Sequence, residues 1–77
     1  MNYIIVEMQT NGGTTAVLTS VKSTYETAEQ EYHTKCAYAA VSNVPVHAVS
    51  MITENGVPVE KKHECYKHGQ PTPETEG

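Results

Sequence analysis

Two asparagine–glycine turns, Asn11-Gly12-Gly13 and Asn55-Gly56, constrain this chain more than any other feature. Asparagine and glycine tolerate the positive φ angles that a tight hairpin needs, and each turn lies between runs with the period of a β-strand. Tyr3 to Thr10 alternates, with Ile4, Val6 and Met8 on one face and Tyr3, Ile5, Glu7 and Gln9 on the other. Thr15 to Val21 reads as the returning strand. Val44 to Thr53 is the most strand-like segment, and Glu54-Asn55-Gly56 turns it into Val57 to about Tyr66. Pro58 lacks an N–H, which places this last strand at a sheet edge.

Between the hairpins the period changes. Ser23-Thr24-Tyr25-Glu26 fits a capping box, with the Ser23 hydroxyl and the Glu26 carboxylate each satisfying a free backbone N–H. A helix is expected from there to about Val41, with Tyr25, Ala28, Tyr32, Cys36 and Ala39 at three- and four-residue spacing and Glu29, Glu31 and Lys35 on the wet side. Ser42-Asn43 ends it, Asn43 being able to take the left-handed conformation, and Pro45 excludes continuation. The order β-β-α-β-β predicts an α+β fold: a four-stranded antiparallel sheet with one helix on one face. Residues 1–68 form the single domain, and the Pro- and Gly-rich segment 69–77 is expected to be a disordered tail.

One helix covers one side of such a sheet. A chain of 77 residues with no Trp and no Phe has a thin core, and short domains bury only about 60% of the surface their unfolded chains expose. A homo-oligomer that shares the uncovered side is therefore expected.

Charge and cysteine content narrow the partners. Nine glutamates against five lysines, with neither aspartate nor arginine, give a formal net charge of −4. That field repels polyanions, and the guanidinium fork that grips phosphate and guanine is missing, so DNA and RNA are not expected partners. Neither a basic leader nor a long apolar run follows Met1, so no membrane segment is expected and the chain reads as cytoplasmic. Cys36 and Cys65 are expected to be reduced thiols there, a disulfide between them being the lesser reading.

Several constellations invite chemistry. His33-x-x-Cys36 and His63-x-Cys65-x-x-His68 supply zinc-ligand types, but without a Cys-x-x-Cys knuckle and with strand alternation separating His63 and Cys65 from His68. Solvated histidines and small thiols account for them as well. A nucleophile–base pair of Cys36 or Cys65 with His47 or His63 has no glycine-rich elbow around it. Gly12-Gly13 lacks the lysine and strand-to-helix context of a phosphate loop. No catalytic residues, metal or cofactor are therefore expected. What remains is a group able to stack on and hydrogen-bond a planar ligand: Tyr32, His33, Ser42, His47, Tyr66 and His68. Taken singly, Tyr32 and His47 read equally as core residues.

In the segments Tyr32-His33, Ser42-Asn43-Val44-Pro45-Val46-His47 and Glu64-Cys65-Tyr66-Lys67-His68, the chain resembles a family of small proteins encoded by prophages and phage-like elements of Gram-positive gut bacteria. The resemblance spans roughly residues 1–68 and implies a phage origin without a settled activity. Phages use small acidic proteins as virion or tail accessory parts and as counter-defence factors. The reading that follows is a non-enzymatic oligomer that sequesters a host immune signalling nucleotide in an interface pocket, with Tyr32 and Tyr66 stacking on bases. His33 and His47 would meet phosphate or ribose oxygens. A virion accessory subunit and a protein inhibitor of a host defence component, with Glu26, Glu29 and Glu31 mimicking nucleic acid, are the alternatives.

Overall fold

The computed structural model describes residues 1–68. It contains β1 (Tyr3–Asn11), β2 (Thr14–Lys22), α1 (Tyr25–Ala40), β3 (Val46–Thr53) and β4 (Pro58–Lys67). All pairings are antiparallel and the sheet order is β2-β1-β3-β4, so the two hairpins meet along β1 and β3. This is the expected α+β arrangement, with α1 lying over the central strands. The expected tail, 69–77, lies outside the described residues.

The first turn places Gly12 and Gly13 at φ 62° and 86° between directly paired Asn11 and Thr14. That conformation fits the right-handed twist of the flanking strands. In the second, the Gly56 N–H donates to the Thr53 carbonyl at 2.8 Å and Gly56 itself is left-handed. β4 is not regular: pairing jumps from Ser50–His63 to Ile52–Pro58, and Lys61 takes a positive φ of 64° in the resulting bulge. Pro58 and this bulge keep the β4 edge from offering a continuous row of free donors and acceptors.

Both helix ends differ from the sequence expectation by local chemistry. The N-cap is Thr24, not Ser23: its hydroxyl accepts the Thr27 N–H at 3.2 Å, and the Thr27 hydroxyl bonds back to the Thr24 carbonyl. Thr27 thereby occupies the place foreseen for Glu26, one residue further on. At the other end Asn43 does not turn left-handed. The last turn tightens instead, Val41 and Ser42 N–H donating to the Tyr38 and Ala39 carbonyls, and the Val44 N–H is taken by Ser42 Oγ at 3.3 Å.

The core lies between α1 and one sheet face. Ala28, Tyr32, Cys36 and Ala39 from α1 pack on Ile5, Val49 and Met51, with Tyr3, Val59 and Tyr66 around them. Tyr25, expected in this stripe, is at the border of exposure and meets the Tyr3 ring edge-on at 5.6 Å. Cross-strand register assigns the opposite face to Thr15, Val17, Thr19 and Val21 on β2 and to Ile4, Val6, Met8 and Thr10 on β1. On β3 it assigns Val46, Ala48, Ser50 and Ile52. No described element covers that side.

Candidate functional site

The polar groups of the covered face converge at the end of the sheet where α1 stops. β1 carries Glu7 and β3 carries His47, one strand apart and on the same face, and both are buried. His47 Nε2–H donates to Glu7 Oε2 at 2.5 Å, and His47 Nδ1 lies 2.8 Å from Ser42 Oγ in the α1–β3 connection. With Nε2 protonated, the Ser42 hydroxyl donates to Nδ1 of a neutral imidazole and accepts from an imidazolium. Gln9 Nε2 donates to the same Glu7 oxygen at 3.2 Å, and Lys35 Nζ stands 3.7 Å from Oε1. Burial pushes the Glu7 carboxyl up, but the bonds from His47 and Gln9 and the charges of Lys35 and His47 outweigh it and hold the group below its usual value.

Glu7 and Lys35 were not among the residues singled out from the sequence. The signal was present in parity: Glu7 shares a strand face with Tyr3 and Ile5, and His47 with Val49 and Met51. Only the register of β1 on β3, with Gln9 opposite His47 and Glu7 opposite Val49, brings the two together.

Beside this chain of hydrogen bonds lies Tyr66, directly across from His47 on β4. The rings of Tyr66 and His68 stand parallel, 6.3 Å apart with 1° between their planes. The His68 N–H donates to the Pro45 carbonyl at 2.6 Å, and its Nε2 meets the Ala39 carbonyl at 2.8 Å. An imidazole N–H there adds a second bond to a carbonyl of the final helical turn that already accepts the Ser42 N–H.

Tyr32 is 3% exposed and its hydroxyl, also buried, has no hydrogen-bond partner. The adjoining Cys36 thiol is too weak a partner to replace water. Burial first, then that thiol and the Glu64 carboxylate, raise the Tyr32 phenol far above its ordinary range. Burial likewise pushes the Cys36 thiol up, against the nearby Tyr32 and Tyr66 hydroxyls, which favour the thiolate. A thiol in that state is a poor nucleophile.

Of the six candidate ligand-binding residues, Tyr32, Ser42, His47, Tyr66 and His68 therefore gather under the C-terminal half of α1, while His33 is exposed and reaches Glu29 at 3.8 Å. His33 touches the group only through its edge contact with the Tyr32 ring, centroids 5.3 Å apart. Both ring nitrogens of His47 are engaged inside the protein, so a ligand reaches them only by replacing Ser42 or Glu7. All five gathered residues lie on the covered side of the sheet. An oligomer built on the open side would not bring them to its interface.

A serine, an imidazole and a carboxylate in series match a hydrolase triad in residue type. Acyl transfer also needs donors aimed at a developing oxyanion, and the Val44 N–H beside Ser42 is directed at the Ser42 oxygen itself. The series ties the α1–β3 connection to the middle of the sheet.

Cys36 and Cys65 are free thiols on opposite sides of the sheet, Cys36 buried under α1 and Cys65 exposed opposite Ala48. Among the described residues, no three of His, Cys, Asp and Glu are grouped to hold a metal ion, and no helix is long and apolar enough to cross a membrane. No family model, curated protein or solved structure matches the chain.

Proposed function

We propose that this chain is a non-enzymatic, phage-encoded binding protein of the host cytoplasm that takes up a small planar, nucleotide-like ligand at the Tyr66–His68 end of the sheet, acting in counter-defence by sequestering a host signalling nucleotide. The observation that carries this reading is the pair of parallel rings, 6.3 Å apart, on the rim of the domain. A flat ring seated between two others at van der Waals contact needs about 7 Å, so a small swing of the His68 ring, at the expense of its bond to the Ala39 carbonyl, opens the space. Tyr66 and His68 would make the contact, with Tyr32, Ser42 and His47 behind them as support and His33 on the flank for a phosphate. The internal pairing of Glu7 with His47 and Lys35 keeps that carboxylate from repelling an anion at full strength.

Calorimetric titration against a panel of cyclic oligonucleotides and ADP-ribose derivatives tests the proposal. Binding by one member, weakened at least tenfold by Tyr66→Ala while the circular dichroism spectrum is kept, supports it. Absence of both heat and thermal shift across the panel contradicts it.

The open side of the sheet, uncharged across β2, β1 and β3, favours a second reading, a virion or tail accessory subunit, since such a part works through broad surfaces. Detection of the protein in purified virions would select it. The third reading, a nucleic-acid mimic that inhibits a host defence protein, is weakened by the pairing of Glu29 with Lys62 at 3.2 Å and of Glu31 with Lys35 at 3.8 Å. Those cations neutralise the face that would act as the mimic.

A further inference from the structure

The twelve outward positions of β2, β1 and β3 run Thr15, Val17, Thr19, Val21; Ile4, Val6, Met8, Thr10; and Val46, Ala48, Ser50, Ile52. None bears a charge, in a chain whose charged residues make up 18% of its length. Seven are aliphatic or methionine side chains larger than alanine. On the edge strand, Val17 and Val21 are 60% and 61% exposed, although either position would accept a polar residue at no cost to the core. Charge returns at β4, whose outward residues include Lys67.

We infer that this face is a self-association surface, on which a second copy of the chain seats its own open face to form a two-layer β-sandwich. Size is the first support. Four strands at about 4.8 Å spacing and eight residues at about 3.3 Å rise make a face of roughly 19 Å by 26 Å, or about 500 Å² on each copy. A pair that covers all four strands buries about 1,000 Å², the lower bound for a specific interface, and its uncharged three-strand part, about 370 Å² on each copy, has the size of the largest apolar patch on a typical monomer, which is often functional. Charge is the second support. Two copies each at −4 repel, yet no glutamate occupies these twelve positions, so contact through this face keeps the like charges apart. The third is symmetry: the rows Val17-Met8-Ala48 and Val21-Ile4-Ile52 are aliphatic and the row Thr19-Val6-Ser50 between them carries two hydroxyls, so a two-fold axis sets no charge against its own copy on these three strands. Sheets packed this way lie about 10 Å apart with interdigitated side chains, so the pair gains the second core layer that one helix cannot supply.

This inference goes beyond the ligand reading and does not depend on it, since the Tyr66–His68 rings lie on the other side of the sheet. Sedimentation equilibrium on the full chain, with Val6→Glu and Val17→Glu variants, tests it. Val17 is an exposed position where glutamate leaves the fold intact, which guards against a trivial loss of structure at Val6. The wild type is expected at twice the 8.4 kDa chain mass, and Val17→Glu at the monomer mass, or with a dissociation constant raised at least tenfold, and an unchanged circular dichroism spectrum. A wild type that stays monomeric at millimolar concentration overturns the inference. So does a dimer that persists unweakened in both variants, because pairing along the free β2 edge, not the face, would then hold the copies together.

Discussion

On the side beneath α1, strand β1 presents Ile5 and Glu7, and β3 answers with Val49, Met51 and His47. On the other side the same two strands present Ile4, Val6, Met8, Ala48 and Ile52, with no helix above them. The covered side thus buries a carboxylate and an imidazole, whereas the open side leaves aliphatic side chains half in water. Hydrophobicity alone would have assigned the helix to the other face. What permits the observed choice is mutual satisfaction: Glu7, His47, Ser42, Gln9 and Lys35 supply one another's hydrogen bonds and charge, so their burial costs far less than the burial of any one of them alone. What makes it tolerable on the open side, on our reading, is a second copy.

The sharpest way to break this comparison is to remove one member of the buried pair. Glu7→Ala leaves His47 and Lys35 without their carboxylate and should cost about 3–5 kcal/mol in equilibrium urea unfolding. Replacing both partners, Glu7→Leu with His47→Leu, should cost less than either single change, because no buried polar group is then orphaned. If the double variant were the worst of the three, the pair would be stabilising in itself and not merely tolerated.

Acid probes the same pair without mutation. The Glu7 carboxyl titrates below its usual value of 4.5 in the folded protein, so its contribution is complete above that value. As pH falls below 4.5 the unfolded chain takes up the proton first, and stability is lost progressively until the folded group also titrates. Denaturation midpoints measured between pH 7 and 3 should decline, and Glu7→Gln should flatten the decline. An unaltered slope in that variant would assign acid sensitivity to other carboxylates.

A smaller effect of opposite sign is expected at Tyr32, the one buried hydroxyl on the covered side without a partner among the described residues. Tyr32→Phe should raise stability by about 1 kcal/mol, read as a higher denaturation midpoint. Destabilisation would mean that the hydroxyl has a bound partner in solution. Smaller again, Thr24→Ala should cost somewhat under 1 kcal/mol through loss of the cap, while Ser23→Ala should stay within about 0.5 kcal/mol.

The same contrast explains what the letters disclosed. Asn11-Gly12-Gly13, Asn55-Gly56, Pro45 and the alternation of Tyr3 to Thr10 act through neighbours in sequence, and they placed four strands and one helix correctly. The shift of the cap to Thr24 is one residue of local hydrogen-bond competition between adjacent hydroxyls. The bulge at Lys61 and the choice of covered face depend on strand register, which no local pattern states. Glu7 was passed over for that reason: as one polar letter in an alternating run it reads as solvent-facing, and its partners His47 and Lys35 come from other elements. Tyr66 and His68 were legible as ring-bearing residues two apart at the end of the last strand, but the tie of His68 to Ala39 required the end of α1 to be in place.

The two native thiols report on the two faces at once, Cys36 beneath α1 and Cys65 on the open side. Maleimide labelling followed by mass spectrometry, over protein concentrations from nanomolar to millimolar, compares them directly. Our account predicts that Cys36 stays slow at every concentration, while Cys65 labels fast in dilute solution and becomes protected as copies pair. A Cys65 rate that is equally fast at all concentrations would contradict it.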